Sequence, residues 1–478
     1  MTETSNNGSN YKYKLDEILH RLDDAKLKRL YWSLVALATV GGFLFGYDQS
    51  NIGLVIPFFP YTSKIPVLLG LEASSEFLGG AFGALIITFL ADRSGRKVFL
   101  LADMAIYIVG ALISGSAFSY IELFIGRLII GVGIGADSAI ATAYISEFAP
   151  AKDRGRLTGF QQMMINMAIF GAYLIGILIY GVSPGLATTI GWRLIFFVAV
   201  IPSVVGLLFR YKMPESPRWL IIHKKTKQAL KALNQFGITA EEGEIIEASN
   251  EWTAKTKNYK IPRSIWKAVG VVIGFAFFDM FCGIDIPFIY GPTILSTIHL
   301  FPSNIGPVTT EIYDMAALLP IGVALVVGGF YGWKHIDTWG RKKISEIAWS
   351  GMIISGLAAA ILWSFKLYIA VLILLYIYTF VYSVSIGMTA WVLQGETSTS
   401  ESRGFIAGII AIAIWIMDFA NVTIYPIMSN AIGFTGAWIV YSILSAGALV
   451  WTVFMLKETK GIPAEDMDKL YVKNAGAK

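Results

Sequence analysis

The chain has 478 residues, 55% of them hydrophobic and only 15% charged, with a formal net charge of +5. Soluble domains usually carry about a quarter of charged residues, so this composition indicates a membrane protein and argues against a large soluble helical core. A helix that crosses a bilayer needs about 20 predominantly apolar residues. The sequence contains twelve such stretches, which we number spans one to twelve: residues 30–56, 72–91, 98–118, 121–146, 156–181, 190–211, 264–296, 311–336, 343–364, 367–395, 403–429 and 435–456.

Residues 1–29 precede the first span, and the part from 11 to 29 has an amphipathic helical pattern. Leu15, Ile18 and Leu22 fall roughly on one face of this helix. The pattern predicts a helix that lies along the inner membrane surface. The alternative is a helix that packs against the cytoplasmic end of the bundle.

The longest polar segment, residues 212–263, divides the spans six and six. It is rich in Lys and Glu and carries apolar residues at helical spacing, which favours a short helical domain over a flexible linker. The sequence therefore predicts an all-α membrane protein with an N-terminal six-helix half at 30–211 and a C-terminal six-helix half at 264–456. A polar tail follows at 457–478.

Basic residues concentrate in the gaps on one side of the predicted bundle, as in Arg96-Lys97 and Arg341-Lys342. Both terminal segments fall on that side and are also basic. Because an excess of Lys and Arg marks the cytoplasmic face, both termini are predicted to be cytoplasmic in a multi-pass protein of the cell membrane. This asymmetry accounts for the positive net charge without a nucleic-acid partner.

One loop pattern occurs twice, about half the chain apart. The first copy reads DRSGRK at residues 92–97, and the second reads DTWGRK at residues 337–342. Each is followed by a glutamate and, seven residues later, by an Arg-Gly pair. Matched charged loops on one side of a duplicated bundle are typical of secondary transporters.

The charged residues of these loops are predicted to form two clusters at the cytoplasmic ends of the spans. The first would contain Arg93, Glu147 and Arg154, and the second Asp337, Arg341, Glu396 and Arg403. Networks of several partly dried charges can bias a two-state equilibrium, so the clusters would hold the halves together when the cavity faces outward. The alternative is that these charges only determine topology.

Glycines recur inside two spans, at 41, 42 and 46 in span one and at 126, 131, 133 and 135 in span four. Small residues allow helices to approach closely in membranes. We therefore expect spans one and four to pack tightly against their neighbours, and this structural role is favoured over direct contact with a substrate.

Several motifs, in order along the chain, resemble the sugar porter family of the major facilitator superfamily. They are GGFLFGYD at 41–48, the Gly126-Arg127 pair with YISEFAP at 144–150, and PESPRWL at 214–220. The resemblance covers nearly the whole chain. It implies a transporter whose two halves rock about a central site and which moves a monosaccharide together with a proton.

Ionisable groups at membrane depth are costly and are functional candidates. Six stand out: Asp48, Arg127, Asp137, Asp279, Asp285 and Asp418. An aspartate beside an arginine stays ionised, and away from it burial favours the protonated form, so Asp48 and Arg127 suit a proton-coupling switch. The resemblance supports this role, because proton-coupled family members carry an acid in the matching position. The alternatives are a static ion pair, and proton transfer through Asp279 or Asp285.

The resemblance also assigns substrate-binding residues. Gln162 matches a sugar-contacting glutamine, whose amide can donate and accept hydrogen bonds at once. Trp391 matches an aromatic residue that stacks on the sugar ring, and Trp415 matches another family tryptophan. The alternatives are a helix–helix hydrogen bond for Gln162 and simple packing for Trp391.

The chain departs from the family where amides become acids. The Gln-Gln pair and the following Asn of span seven are replaced by Asp279-Met280 and Asp285, and an Asn position of span eleven is Asp418. Carboxylates accept strong hydrogen bonds from hydroxyl groups, so a monosaccharide remains the expected cargo. An acidic pocket would equally suit a cationic substrate. Asp137 replaces a small residue, and an acid also occurs there in phosphate-transporting relatives; pairing of Asp137 with Tyr or Arg is the structural alternative.

No cofactor or metal is expected, because Cys282 is the only cysteine and the four histidines lack metal-ligand spacing. No catalytic motif occurs, which argues against an enzyme. The alternatives are proton-coupled transport of phosphate, an organic acid or a polyol, and a transport-dead sugar sensor. Sensors usually carry a long signalling tail, which is not expected here. The expected partners are the monosaccharide, protons and the lipid bilayer, and the protein is expected to be monomeric.

Overall fold

A computed structural model describes residues 28–148, 154–298 except 236, 300, 306–462 except 400, 467–471, and the positions 14, 15, 17 and 18. Every regular element within these residues is a helix. Spans one to six of the N-terminal half are Lys28–Val55, Pro66–Ser94, Arg96–Gly115, Tyr120–Phe148, Arg154–Val182 and Trp192–Tyr211. Short turns at Pro184–Leu186 and Ala187–Gly191 precede span six.

Three helices follow and form the linker domain: Pro217–Ile222, Thr226–Gln235 and Glu242–Thr256. The end of the bundle that carries this domain is called the linker end, and the opposite end is called the far end. Ser216 accepts a hydrogen bond from the backbone N–H of Trp219 and so caps the first linker helix. The linker helices bury an apolar face that includes Trp219, Leu233 and Ile245.

The C-terminal half contains longer and more interrupted helices. Span seven is divided into Arg263–Met280, Ile286–Ile289 and Gly291–Ile298, and span eight into Pro307–Ala317 and Leu319–Trp339. Spans nine and ten are Arg341–Ser364 and Tyr368–Glu396, spans eleven and twelve form the run Arg403–Phe454, and a short helix follows at Met467–Leu470.

Nine stretches of the described residues are long and apolar enough to cross a membrane. The last of them holds two spans, because its helix breaks at Gly433, whose φ of 69° glycine adopts without steric cost. Span one and the broken span seven complete the set of twelve. The predicted all-α membrane fold is therefore confirmed, and span seven, predicted only as a range, is divided into three helical pieces.

Close packing at the glycines is also confirmed. A Cβ atom added at Gly131 or Gly135 would overlap backbone carbonyls of span two, and one added at Gly46 would overlap a carbonyl of span five. The backbones of these helices are therefore in direct contact, which only residues without a side chain permit.

Most of the amphipathic N-terminal segment lies outside the described residues, and the part that is described packs on the linker domain. Leu15 and Ile18 are buried. The backbone N–H of Lys14 donates to Glu251 at 2.7 Å, and its ammonium group lies 3.5 Å from Glu244. These contacts support the alternative in which the segment packs against the end of the bundle.

The linker domain and the tail each cap a span of their own half. Both carboxylate oxygens of Glu215 accept hydrogen bonds from the first two N–H groups of span three, at 3.0 and 3.1 Å. Glu458 does the same for span nine, also at 3.0 and 3.1 Å. Negative charge stabilises a helix N-terminus, and the two halves repeat this device.

The linker domain also contacts the C-terminal half. The Lys255 ammonium lies 2.6 Å from Glu401, and Tyr259 and Thr399 share a hydrogen bond of 2.6 Å. Burial alone would raise the pKa of Glu401, but its hydrogen bond and attraction to Lys255 outweigh burial and hold the pKa below the usual 4.5. The linker domain thus bridges both halves at this end.

Glu401→Gln is expected to lower the free energy of unfolding by about 1 kcal/mol at neutral pH, because an ion pair near the surface, here with a partly exposed lysine, contributes little. A lowered pKa means that this contribution is present above pH 4.5 and is lost as the pH falls through the lowered value. The check is the difference in thermal unfolding midpoint between wild type and variant at neutral and acid pH. If the difference in unfolding midpoint were the same at acid pH, the Lys255–Glu401 ion pair would not be its cause.

Candidate functional site

A small cavity of about 50 Å³ lies between the two halves, near the middle of the bundle. It is lined by spans one and five of the N-terminal half and by spans seven, eight, ten and eleven of the C-terminal half. Six of the predicted substrate residues line it: Gln162, Asp279, Asp285, Trp391, Trp415 and Asp418. A volume of this size holds a few water molecules, so the cavity is nearly closed around its side chains.

The break in span seven brings two of the acids into the cavity. Asp279 lies at the end of the first helical piece, and Asp285 lies just before the second, separated by Gly283 with a φ of 85°. Tyr382 donates to Asp279 at 3.0 Å, and Gln49 of span one donates to Asp285 at 2.8 Å. Many transporters present polar groups to a substrate through helices that are interrupted at the centre of the bundle.

The amides of span five form a second polar wall. Gln162 donates to Asn166 one turn later at 3.1 Å, and Asn166 donates to Ser383 of span ten at 2.8 Å. Asn166, rather than Gln162, therefore makes the contact between the halves. Sequence reasoning missed Asn166, although a second amide four residues after Gln162 was a visible signal.

Aromatic rings cover a third side of the cavity. The ring of Phe45 lies 5.0 Å from that of Trp415 and meets that of Trp391 edge-on at 6.4 Å. The indole N–H of Trp415 donates to Ser138 at 3.1 Å, which fixes the orientation of this ring. Flat apolar faces beside polar groups suit a solute that has both C–H and O–H surfaces.

The cavity is acidic. Its described lining includes Asp279, Asp285 and Asp418 but no Lys, Arg or His. The carboxyl groups of Asp285 and Asp418 lie within electrostatic reach of each other. One oxygen of each of the three acids has no hydrogen-bond partner. These oxygens are available to hydroxyl or ammonium donors.

Asp48 and Arg127 form a separate buried cluster beside the cavity. Arg127 lies 3.4 Å from Asp48, and Asn51 links them by donating to Asp48 at 2.6 Å and accepting from Arg127 at 3.0 Å. The next residue after Asp48 is Gln49, which contacts Asp285 in the cavity. The predicted pair is therefore brought together, one residue away from the candidate substrate site.

Arg127 has a second acidic partner that sequence reasoning missed. Glu76 of span two lies 2.9 Å from Arg127, closer than Asp48 does. Span two was predicted to begin at 72, which would place Glu76 only about one turn from the start of the span. The helix begins at Pro66, so Glu76 is about ten residues, or roughly 15 Å, inside it.

Asp137 does not line the described cavity. Its carboxylate lies 2.6 Å from Arg210 of span six, which also contacts Asp103 of span three at 2.8 Å. All three side chains are buried. This geometry supports the structural alternative for Asp137, and a role in substrate binding stays a prediction.

The two halves meet at both ends of the cavity. At the far end, Ser74 of span two shares a hydrogen bond of 2.7 Å with Thr423 of span eleven, and Tyr173 donates to the carbonyl of Phe288 at 2.7 Å. At the linker end, the rings of Phe89 and Phe405 lie 6.3 Å apart. The two halves are therefore in contact on both sides of the cavity.

The second loop cluster is formed, but within one half. Arg341 of span nine lies 2.6 Å from Glu396 and 2.8 Å from Asp337, and Thr459 donates to Glu396 at 2.7 Å. These contacts join spans eight, nine and ten. The side chain of Arg403 lies outside the described residues.

The first loop cluster is only partly described, because the side chains of Glu147 and Arg154 lie outside the described residues. Arg93 is exposed. Arg96, which matches Arg341 in the repeated motif, is buried and donates to the carbonyl of Ala91 at 2.9 Å. Alignment of the two motif copies already pairs Arg96, rather than Arg93, with Arg341.

The chain is similar to two curated sugar transporters. It is 29% identical over 446 residues to the arabinose-proton symporter of Bacillus subtilis (strain 168), covering 91% of this chain and 94% of that protein. It is 28% identical over 466 residues to the glucose transporter GlcP of Staphylococcus epidermidis, covering 95% of this chain and 100% of that protein.

The fold matches that of the E. coli proton:xylose symporter XylE bound to 6-bromo-6-deoxy-D-glucose. The TM-score is 0.78 at 23% identity, over 92% of this chain and 99% of the other. This likeness confirms the major facilitator fold. The family model described as "Sugar (and other) transporter" matches residues 34–471, and the chain therefore belongs to that family.

Proposed function

We propose that this protein imports a monosaccharide together with a proton. The observation that carries the proposal is the cavity between the halves, where carboxylates, amides and two tryptophans lie one residue from the buried Asp48–Arg127 cluster. The sugar would bind in the cavity. Gln162 and the acids would form hydrogen bonds with its hydroxyl groups, and Trp391 would pack against one face of its ring. Asp48 would carry the proton.

Transport would proceed by alternating access. The halves would separate at the far end to admit sugar and proton, close around them, and then separate at the linker end. Asn166, Gln49 and Phe45 contact residues of the opposite half. A solute that replaces these contacts couples its own binding to closure of the halves.

The linker end would be cytoplasmic. The basic loops lie at this end, so by the positive-inside rule both termini would lie in the cytoplasm, with the protein in the cell membrane. The exposed apolar side chains that encircle the spans would contact lipid. The protein would act as a monomer, because each chain holds its own cavity and its own Asp48–Arg127 cluster.

Among the other cargoes, a polyol fits the cavity as a monosaccharide does, because both offer adjacent hydroxyl groups. Phosphate and organic acids fit poorly, because the described lining contains three acids and no basic side chain. The structure offers no specific support for a sensor that does not transport.

Ligand-induced stabilisation tests the cargo. Purified protein would be heated with arabinose, glucose, xylose, a polyol, phosphate and an organic acid in parallel. A ligand that binds only the folded state raises the free energy of unfolding with the logarithm of its concentration, by about 2.7 kcal/mol at a hundredfold excess over Kd, and the unfolding temperature rises with it. A shift with monosaccharides and none with anions is expected, and a shift with phosphate alone would contradict the proposal.

Glu396→Gln should shift the resting protein toward the inward-facing state. The amide would weaken the hydrogen-bonded contact with Arg341 that joins the linker-end tips of spans nine and ten. Distances between spin labels on the linker-end loops of the two halves should lengthen, while sugar affinity is kept. Glu346→Gln, a half-exposed glutamate on span nine, is the control. Unchanged distances in Glu396→Gln would remove the gating role.

A further inference from the structure

Arg127 faces two carboxylates rather than one. Its Nη2 atom lies 2.9 Å from Oε2 of Glu76, and its Nη1 atom lies 3.4 Å from Oδ2 of Asp48. The side chains of all three residues are fully buried. They come from spans one, two and four, so the cluster lies wholly within the N-terminal half.

The charges of this cluster do not balance without a proton. One guanidinium neutralises one carboxylate, and a second buried carboxylate must either stay unpaired or be protonated. Arginine is effectively always protonated, so the proton has to reside on Glu76 or Asp48. With one proton bound the cluster is neutral, and without it the cluster carries a net charge of −1.

The contacts favour Asp48 as the proton carrier and Glu76 as the anion. Glu76 makes the shorter contact with Arg127. Asp48 makes the longer contact, and its other oxygen accepts a hydrogen bond from the Asn51 amide at 2.6 Å. A proton on the Oδ2 atom of Asp48 leaves both the Arg127–Glu76 ion pair and the Asn51 hydrogen bond intact.

We propose that Glu76 is the permanent counter-ion of Arg127, a positioning residue that lets Asp48 bind the transported proton without leaving the arginine unpaired. This inference rests on the proposed proton coupling. Glu76 repels a negative charge on Asp48 and competes with it for Arg127. Both effects oppose a negative charge on the two carboxyl groups at once.

Other titratable groups surround the cluster on every side. Glu72 lies one turn before Glu76 on span two, Tyr47 precedes Asp48 on span one, and Tyr107 of span three and Asp418 of span eleven lie within electrostatic reach. Among these described neighbours none is basic. Arg127 is therefore the positive charge over which the two carboxylates compete.

The test is the pH dependence of uptake in proteoliposomes, with labelled arabinose, glucose or xylose, whichever the wild type takes up fastest. In Glu76→Gln, Arg127 is left to Asp48 alone. The external pH at which driven uptake is half-maximal should move to lower values by about 1–3 pH units. Sugar exchange between equal pools, which needs no net proton movement, should remain and report correct folding.

Two matched variants separate charge from structure. Glu72→Gln makes the same substitution one turn away on the same helix, where Glu72 accepts a hydrogen bond from Thr62 at 3.1 Å, and should move the midpoint much less. Glu76→Asp keeps the charge but withdraws it by one methylene, and should move the midpoint to lower pH by less than Glu76→Gln does.

The outcomes separate this inference from the proposed function. If wild-type uptake ignores the proton gradient, the proposed coupling fails. If the wild type is driven by protons and Glu76→Gln keeps the wild-type midpoint, or moves it to higher pH, the counter-ion role is contradicted. Should Glu76→Gln not fold, the Glu76→Asp midpoint decides, and a midpoint equal to that of wild type would contradict the role.

Discussion

Asp48→Asn is expected to abolish accumulation of sugar against a gradient while preserving exchange between equal pools. The asparagine resembles the protonated aspartate, so the halves can still reorient around bound sugar. A proton gradient acts only through a group that titrates. Each pH unit across the membrane can supply about 1.4 kcal/mol per coupled proton, or roughly tenfold accumulation, and the variant should lose all of it.

The matched measurement is concentrative uptake and equilibrium exchange in the same proteoliposome preparation. Asp285→Asn is the comparison, because it changes an acid of the cavity rather than of the Arg127 cluster. If Asp48→Asn still concentrated sugar and Asp285→Asn did not, the coupling proton would belong to span seven. Asp48 would then be a structural partner of Arg127.

Trp391→Ala is expected to weaken sugar binding strongly, and Gln162→Ala moderately, without lowering the folded yield. A hydrogen bond contributes about 0.5–1.5 kcal/mol net, so removing Gln162 should cost roughly tenfold or less in affinity. Trp391 contributes buried apolar area, at about 25 cal/mol per Å², over a whole ring face, so its removal should cost more.

Binding would be measured by titration calorimetry with the sugar that gives the largest thermal shift. Trp339→Ala, at a tryptophan that is 40% exposed at the linker end of span eight, controls for loss of an indole elsewhere. Equal affinity in all three variants would mean that the substrate site is not the cavity between the halves.

The membrane fold could be read from the sequence because hydropathy acts over some twenty residues at a time. Small errors at a helix end do not change the number of spans. The breaks within the helices were harder to predict from the sequence. Gly433 and Gly283 interrupt apolar runs with a single residue at positive φ, and nothing in the composition marks those two glycines among many.

The candidate site was partly predictable for a related reason. Asp48 and Arg127 stood out because each is an isolated charge in an apolar span, and the structure brings them together. Glu76 and Arg210 were not singled out from the sequence, because both lie close to predicted helix ends, where charges are common. Depth in the bundle depends on where the neighbouring helices begin and end, which only the packed structure supplies.

The loop motifs illustrate the opposite case, in which the spacing was clear but the partners were not. The repeat placed Arg341 and Glu396 at matching positions, and the structure pairs them at 2.6 Å. It did not indicate that this contact would stay within one half. The halves contact each other at the linker end through Phe89 and Phe405 instead, and the Lys255–Glu401 pair joins the linker domain to the C-terminal half.

The most direct test of proton-coupled sugar import is uptake of labelled monosaccharide into proteoliposomes whose exterior is more acidic than the interior. The proposal predicts that internal sugar rises above the external concentration, by up to about tenfold per pH unit and coupled proton, and falls back when a protonophore collapses the gradient. Uptake that stops at equal concentrations with or without the gradient would contradict it.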